Sequence, residues 1–580
     1  MPIERARTSK SSTTRILTAA HRRSSCVLGG CRVEGPCIRR CQIPGRSPVA
    51  AAATGPERGA AYNRRHEFIT HRNRVGFARG DFTVTPAVTS QRSVARNGFL
   101  QVLHAEWTKF RTVRGWLIGM VAAALLLVLF AVLAGLSSNQ KGAPPVPVGP
   151  GGEPVTDSFY FVHRPLAGNG SITVSVSELK SSIPKGPGDL RPGTVPWAKA
   201  GLIIKQGTRR GSPYAAIMVT GGHGVRMQDS YVHDAPGPAS GRLRLDRSGD
   251  LITGYASTDG AHWTKVGTAR LSGLGPTAQV GLFVASPPVL DGMGTAGSVS
   301  TAVFRDLHMR RTGGEWTGEQ LGAASPTFAG YPDNTRGSFA ETGGRFTVTG
   351  AGDIAPAVRE TLPTGGTLRD VLTGTFAALV AVIVVGALFI TTEYRTKMIH
   401  LTVAAIPRRS QVLLAKAIVL WAVTFVAGLL GTVIAAPLGE RLARDNGVYV
   451  FPVPSSTELR VALGTAALLA TAAVLALSVG AVLRHSAGAV TTVVVAVVLP
   501  YVLTALPFMP ASAANWLSLL TPEAAFAVQQ TLVKYDQVTS HYTPYNGYYP
   551  LPPWAGLAVL AAYAAASLAT ATILLNKRDA

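Results

Sequence analysis

Long apolar stretches dominate the chain outside one central interval. Spanning a bilayer takes about 20 mostly apolar residues, because a segment surrounded by lipid has to pair every backbone amide within itself. Six stretches meet this requirement and show no polar face: 115–136, 371–391, 412–436, 459–483, 487–507 and 553–575. The pattern therefore predicts an α-helical polytopic membrane protein with six transmembrane helices.

The interval between the first two stretches alternates between apolar and polar residues over short distances. Such alternation is typical of strands that bury one face. Ser-Gly at 248–249 and Asp-Gly at 259–260 supply the turn chemistry of hairpins. Strands are predicted at 171–177, 200–206, 214–220, 241–247, 250–258 and 278–286, with further strands within 337–358. The sequence therefore predicts an inserted all-β domain over 138–365, with a β-sandwich over about 155–312.

The strand and turn pattern of this β-rich interval resembles a known family. The run WAKAGLIIKQ, followed by GRLRLDRSGDLITGYASTDGAHWTKVG and AQVGLFVAS, is similar to the concanavalin-like and laminin-G-like jelly-roll proteins. The resemblance implies a jelly-roll-like fold. It also raises the expectation of a glycan or protein ligand.

A short amphipathic pattern precedes the first apolar stretch. Leu100, Leu103, Trp107 and Phe110 recur at helical spacing within 97–115, with Glu106, Lys109 and Arg111 largely elsewhere around the helix. This spacing predicts a helix that lies in the membrane interface ahead of the first span, so that 97–137 forms one unit. An ordinary flank of the span is the alternative interpretation.

The end of the fifth stretch carries signals for a break and a new helix. Pro507 and Pro510 remove backbone donors and interrupt the span. Thr521 followed by Pro522 is typical of a helix start. The following run YDQVTSHYTPYNGYYPLPPW is rich in Tyr, which favours the headgroup level of a membrane. An outer re-entrant or helical segment is therefore predicted within 507–552.

The formal net charge of +24 is explained mainly by topology. Such a charge would indicate nucleic acid in a soluble protein, but much of the excess lies before residue 97 or beside the apolar stretches. Lys and Arg collect at the cytoplasmic ends of spans. The cations beside the spans include Lys109, Arg111, Arg114, Arg395, Lys397, Arg408, Arg409, Arg484, Lys577 and Arg578. They share one side if both termini are cytoplasmic, which predicts a multi-pass cell-membrane protein with 138–365 extracytoplasmic and no nucleic-acid partner.

The first 96 residues contain all four cysteines of the chain, Cys26, Cys31, Cys37 and Cys41. Their spacing lacks the paired short knuckles of a zinc site. The segment is basic, rich in Arg, Ser, Gly and Pro, and without sustained periodicity, which is typical of disorder. We therefore expect it to be dispensable, with translated upstream sequence as one explanation and metal binding as the competing one.

Motifs for chemistry within this chain are absent from the sequence. It contains no G-x-x-x-x-G-K-[ST] loop for nucleotide phosphates and no G-x-S-x-G nucleophile turn. The apolar stretches hold almost no ionisable side chains, which argues against a proton relay. The expectation is a protein that is not an enzyme, without catalytic, cofactor or metal sites. Any ATP chemistry then belongs to another polypeptide.

The connection between the second and third stretches carries the most informative motif. AEWTKFRTVRGW before the first stretch and ITTEYRTKMIHLTVAAIPRRSQVLLAKA after the second resemble the type-2 permease subunits of ABC transporters. In that family such a connection, here 391–410, couples the permease to a separate ATPase. The resemblance implies ATPase-coupling roles for Glu393, Tyr394, Arg395, Lys397, Pro407, Arg408 and Arg409, and an interfacial helix with Trp107, Lys109, Arg111 and Arg114. Lys416 would lie at the base of the third span.

The resemblance implies an exporter subunit that works with an ATPase and with a second permease subunit, as a homodimer or heterodimer. Simple anchoring of the spans by Lys and Arg is the plain alternative for 391–410, although anchoring requires no Glu-Tyr-Arg cluster. A membrane-anchored protein whose β-sandwich binds an envelope glycan or protein is the alternative for the whole chain. One span would suffice for anchoring, so six spans favour transport.

Overall fold

Apolar helices and an antiparallel β region make up the part of the chain that the structure describes. The computed structural model describes residues 98–577 apart from 187–188, 292–293, 311–313, 323–330, 332–334, 363–364, 400–407, 505 and 507–508. The expectations for the cysteine-containing segment at 1–96 therefore lie outside the described residues, as does Arg578.

Within the described residues, six helical segments are long and apolar enough to cross a membrane, which confirms the prediction from hydropathy. The helices are α1 (Phe99–Thr112), α2 (Arg114–Ser137), α3 (Leu368–Val371), α4 (Thr375–Arg395), α5 (Arg409–Asp445), α6 (Ser455–Leu483), α7 (Ser486–Thr504), α8 (Ala511–Leu520) and α9 (Pro553–Lys577). The spanning candidates are α2, the continuous α3 and α4, α5, α6, α7 and α9. Helix α1 is the separate short helix expected before the first span.

Helix α6 lies at the centre of the apolar helices. Most of α6 is buried, whereas only about a fifth of α2 and of α9 is buried. Glycines let its neighbours approach closely: a Cβ at Gly386 of α4 would lie 2.4 Å from the carbonyl oxygen of Ala473, and one at Gly428 of α5 would lie 3.2 Å from the Cα of Ala466. Close backbone approach through small residues is a main way in which helices associate in lipid.

The β region lies between α2 and α3 and consists mainly of two antiparallel sheets. In the described residues, sheet A runs in the order β11 (Thr264–Arg270), β10 (Leu251–Ser257), β9 (Arg242–Ser248), β3 (Gly170–Gly186), β15 (Val299–Arg310), β18 (Arg345–Gly350) and β17 (Ser338–Thr342), with β4 (Asp189–Pro192) on β3. Sheet B runs in the order β16 (Thr317–Gln320), β2 (Tyr160–Ala167), β12 (Thr277–Ala285), β5 (Lys199–Lys205), β6 (Tyr214–Thr220), β7 (Val225–Asp229) and β8 (His233–Pro236). Two ribbons pair β1 (Val155–Asp157) with β19 (Ile354–Pro356) and β13 (Val289–Asp291) with β14 (Gly294–Ala296).

Alternating residues of the two sheets form one apolar core between them. Leu245 and Ile172 of sheet A and Leu202, Ile217 and Leu282 of sheet B belong to this core. The predicted hairpin turns are present, with φ of 62° at Gly249 and 82° at Gly260. The sheets also continue beyond residue 312, because β16, β17 and β18 pair with them. The β region is therefore a two-layer structure with its own core.

The other face of sheet B is buried under the ribbon of β1 and β19. Lys205 Nζ lies 2.8 Å from Asp157 Oδ2, and Lys199 Nζ lies 2.5 Å from Asp353 Oδ1. Burial lowers the pKa of Lys205, although the Asp157 carboxylate acts in the opposite direction. These buried ion pairs fix the ribbon to β5 and bring the two ends of the β region, which lead to α2 and α3, close together.

Candidate functional site

The candidate site lies where α4 ends and α5 begins, which we call the loop end of the helices. Lys416 Nζ lies 2.6 Å from Glu106 Oε2 and 2.7 Å from Glu393 Oε1. Lys109 Nζ lies 2.8 Å from Glu106 Oε1 and 3.6 Å from Glu393 Oε1. These four residues form the charge network of the loop end. Two cations and two carboxylates balance one another and connect α1, α4 and α5.

The charge network is largely removed from solvent. The side chains of Lys416, Glu106, Glu393 and Lys109 are 0%, 1%, 14% and 39% exposed. Burial lowers the pKa of Lys109, but the hydrogen bond and charge of Glu106, together with Glu393, outweigh burial and raise it. A buried charge is costly unless it is paired. The pairs therefore hold the three helices in one arrangement.

Aromatic rings form the apolar side of this network. The ring of Phe389 lies 4.7 Å from Lys416 Nζ, close enough for a cation–π contact. Phe110 and Trp116 pack edge-on against Phe389, with centroids 5.5 Å and 5.7 Å away. The rings cover one side of Lys416, whose side chain is 0% exposed, and exclusion of water strengthens its electrostatic contacts.

One carboxylate oxygen in the network has no partner. Glu393 Oε2 is buried and forms no hydrogen bond with any residue that the structure describes. Its other oxygen shares Lys416 with Glu106. A buried acceptor without a partner is unusual in native proteins and marks a place where the arrangement can change.

Helix α1 places Glu106 on its buried face. Val102, Glu106 and Phe110 are the buried residues of α1, at intervals of four. Trp107 is 42% exposed and lines an apolar groove between α2 and α5 of about 450 Å³. Arg111 and Arg114 are exposed. The helix expected from 97–115 is present, but the placement of Glu106 away from its apolar face is wrong, because Glu106 lies on the buried face while Leu100 is 76% exposed.

The residues of the connection divide into two layers. Glu393 and Tyr394 belong to the inner layer, and the Tyr394 ring lies 5.1 Å from the guanidinium of Arg484 in the turn between α6 and α7. Arg409 joins them by donating from Nη1 to the backbone carbonyl of Leu575 in α9 at 2.9 Å. This inner layer therefore links α4 to the turn between α6 and α7, and α5 to α9.

The outer layer consists of Arg395, Lys397 and Arg408, which are all exposed. Lys397 has a φ of 59°, in the left-handed region, so the chain reverses sharply after α4. Pro407 lies outside the described residues. The structure thus brings together an exposed cationic layer and, directly behind it, the charge network.

The opposite end of the helices is tied to the β region by polar contacts. Glu360 accepts hydrogen bonds from Ser540 Oγ and the His541 amide, both at 2.7 Å, and from Asn546 Nδ2 at 3.0 Å. Gln537 Nε2 donates to the Val232 carbonyl at 3.1 Å. These hydrogen bonds join the segment between α8 and α9 to the β region and to the chain that follows it.

The outer segment predicted within 507–552 has a different helical form from the one expected. Its helix begins at Pro522, as the start signals indicate, but Pro522–Gln529 is a 3₁₀ helix and every residue in it is buried. Helix α8 precedes it and also lies within the predicted segment, although no separate helix start was predicted there. Gln529 Nε2 donates to Thr375 Oγ1 at 2.9 Å and to Thr465 Oγ1 at 3.1 Å, which fixes this segment between α4 and α6.

Comparisons with known proteins do not assign a family. No protein-family model matches the chain, and no curated protein matches it. SCP-B, a member of the eqolisin family of peptidases solved with a tripeptide, is 10% identical over 33% of this chain and 98% of that protein, with a TM-score of 0.22. Scytalido-glutamic peptidase, solved with a transition state analog inhibitor, is 9% identical over 33% and 98%, with a TM-score of 0.20. A functionally unknown protein from Saccharomyces cerevisiae is 16% identical over 27% and 77%, with a TM-score of 0.15. Similarities of this size carry no argument about function.

Proposed function

We propose that the chain is the transmembrane permease subunit of an ABC-type exporter. A separate ATPase subunit hydrolyses ATP, and this chain, together with a second permease subunit, moves the substrate across the cell membrane. The chain itself is then a transport subunit without enzymatic activity or cofactor. The observation that carries the proposal is the buried charge network, because it joins three helices directly behind exposed cations.

The two layers of the loop end suit a coupling element, which receives a movement of the ATPase and transmits it to the transmembrane helices. Arg395, Lys397 and Arg408 are exposed and available to an acidic groove of the ATPase. Glu393 lies two residues from Arg395 and holds Lys416. A displacement of the connection therefore moves the ends of α4 and α5 together, and through Glu106 it also moves α1.

Simple anchoring accounts for less of this arrangement. Anchoring requires Lys and Arg near the membrane surface but no buried Glu-Lys-Glu contact. Lys416 pairs with two carboxylates, and Glu393 Oε2 has no partner among the described residues. Lys416 can therefore exchange its contacts among these carboxylate oxygens without creating a further unpaired charge. Such redistribution is what an element with two arrangements requires.

The proposal includes a topology. The spans cross the membrane six times with both termini in the cytoplasm, and the β region forms an extracytoplasmic, jelly-roll-like domain between the first two spans. The cations at the loop end favour this orientation, because Lys and Arg collect on the cytoplasmic side. The number of apolar helices favours transport over a membrane-anchored binding protein, for which one helix suffices.

Labelling of single cysteines tests this topology. Ser248, on the turn between β9 and β10, and Ser410, in the first turn of α5, are both exposed. Each is replaced with Cys in a chain whose four native cysteines are changed to Ser. We expect an impermeant maleimide to label position 248 but not 410 on intact cells, and both after permeabilisation. Labelling of position 410 on intact cells would place the connection away from any cytoplasmic ATPase and would end the proposal.

A further inference from the structure

The outward face of sheet A is a broad cationic surface. Side chains on β9 alternate, so that Leu243 and Leu245 are buried in the core while Arg242 and Arg244 point outward. The strand register aligns one outward row of residues across the sheet: Lys265, Tyr255, Arg244, Thr173 and His308. Neighbouring strands lie about 4.8 Å apart, so this row extends over roughly 19 Å.

A depression lies within this face. Its volume is about 220 Å³, and it is lined by Ser171, Thr173, Arg244, His308, Met309 and Arg310. Two guanidinium groups, an imidazole and two hydroxyls converge there. Guanidinium and hydroxyl groups are the usual partners of phosphate oxygens. The depression therefore has the size and donor chemistry for one phosphate group.

The positive charge of the face is only partly neutralised. Arg244 is paired with Asp246, with Nε and Nη2 at 2.7 Å and 2.6 Å from the carboxylate oxygens. Arg242 lies 3.9 Å from Asp306. In the part of the chain that the structure describes, neither Lys265 nor Arg305 nor Arg310 forms an ion pair, and all three are exposed. Lys265 ends the row, Arg310 lines the depression, and Arg305 pairs with Ser175 beside the row.

The face points away from the helices. Contacts between the β region and the helical part involve Ala355 and Val358, which pack with Val538, and Val232, which accepts from Gln537. These positions belong to the ribbon on sheet B, the segment that follows it and the turn between β7 and β8. A membrane surface is thus an unsuitable partner for sheet A, and a long soluble molecule is a suitable one.

The outward side chains also distinguish between classes of polymer. Single-stranded nucleic acids are held by series of aromatic rings on which the bases stack. Among the described residues of the outward row, Tyr255 supplies the one Phe, Tyr or Trp ring, and the Arg244 guanidinium lies 5.4 Å from it, so the row offers no series of rings for bases. The outward positions of β9, β3 and β15 include Arg, Asp, Ser, Thr and His side chains. Hydroxyl-rich rows between cations suit a chain of hydroxylated units joined through phosphate.

We propose that the outward face of sheet A binds a linear polymer of hydroxylated units that carries phosphate groups. Lys265, Arg305 and Arg310 contact the phosphates, the depression holds one of them, and the Ser and Thr side chains contact the hydroxyls. This binding function goes beyond transport and does not depend on the proposed ATPase partner.

The test uses the full chain in nanodiscs of zwitterionic phosphatidylcholine, with fluorescently labelled inorganic polyphosphate as the probe. The variant K265S/R305S/R310S is expected to bind the probe at least about tenfold more weakly. The slope of the logarithm of its binding constant against the logarithm of the salt concentration should be less steep by about 2, since each lost phosphate contact accounts for roughly 0.7. R310S alone is expected to give a smaller loss in the same direction. Unchanged melting temperatures verify that the variants are folded.

The matched control removes three exposed cations elsewhere on the β region, Lys141, Arg209 and Arg336. K141S/R209S/R336S is expected to keep the affinity and the salt slope of the wild type. Equal losses of affinity in the two triple variants would mean that polyphosphate is attracted by the overall positive charge of the β region. That result would overturn the assignment of the binding site to sheet A. Tighter binding of an oligo-dT strand than of polyphosphate would also overturn it, in favour of nucleic acid.

Discussion

Lys416→Met is expected to lower the free energy of unfolding by about 3 kcal/mol, because it breaks a buried ion pair and leaves two carboxylates to share Lys109. Glu106 keeps its 2.8 Å contact with Lys109, whereas Glu393 retains only a 3.6 Å contact with it. The measurement is the melting temperature of the detergent-solubilised chain, read by size-exclusion chromatography after heating. Lys397→Met, which removes an exposed cation nearby, is the control and should melt like the wild type.

A compensated variant separates stability from coupling. In E106Q/E393Q/K416M the only charge of the network that remains is that of Lys109, which is 39% exposed and can be solvated, and replacing a buried ion pair by uncharged groups is often close to neutral. We expect this variant to recover most of the lost melting temperature but to lose stimulation of the ATPase. If Lys416→Met melts like the wild type, the network does not hold the three helices together. If the compensated variant still stimulates the ATPase fully, the charge network does not transmit movement between the ATPase and the helices.

Reversal of the outer-layer charges has the second large expected effect. Arg395→Glu with Lys397→Glu is expected to weaken binding of the ATPase at least about tenfold, because like charges facing one another across an interface are strongly unfavourable. Both side chains are exposed, so the melting temperature should not change. Glu393 is unsuitable for this test, since its pairing with Lys416 would confuse loss of binding with loss of stability. Copurification with the ATPase at several salt concentrations measures the effect.

Arg111→Glu with Lys577→Glu is the matched control for that reversal. These residues are also exposed, and Lys577 ends α9 at the loop end. The control changes the net charge by the same amount and should leave copurification intact. Equal weakening by both pairs would mean that the ATPase senses only the overall charge of this surface.

The sequence predicted the spans well because transfer of apolar residues into lipid is a local property of each segment. It predicted their ends less well. Helix α5 extends to Asp445 beyond the expected apolar stretch, through Pro437, since a proline inside a helix removes a hydrogen bond without always ending the helix. Polar residues there pair with one another, as Arg444 does with Glu440 at 2.8 Å.

The charge network was beyond prediction from the sequence because its members are far apart along the chain. Glu106 and Lys416 are separated by 310 positions, and periodicity says nothing about such a pairing. One signal was available: Glu106 lies four residues from both Val102 and Phe110, so it shares their face of α1. A carboxylate on an apolar face requires a partner, and that requirement indicates a cation on a neighbouring helix without identifying which one.

The strands were predictable for a related reason. The segment 214–220 coincides with β6, because alternation and turn residues are local signals. The order of strands within the sheets follows from contacts between distant segments. The cationic surface of sheet A could therefore not be predicted from the sequence, although Arg242 and Arg244 alternate with leucines along β9.

Association with an ATPase tests the central claim most directly. The affinity-tagged chain is purified under mild conditions from the membranes of its own organism, and its copurifying proteins and ATP hydrolysis are measured. The account predicts that a separate protein with a G-x-x-x-x-G-K-[ST] loop elutes in an amount equal to the chain, that the eluate hydrolyses ATP, and that both are lost with R395E/K397E. An intact, folded wild-type chain that elutes without such a protein and without ATP hydrolysis would contradict it.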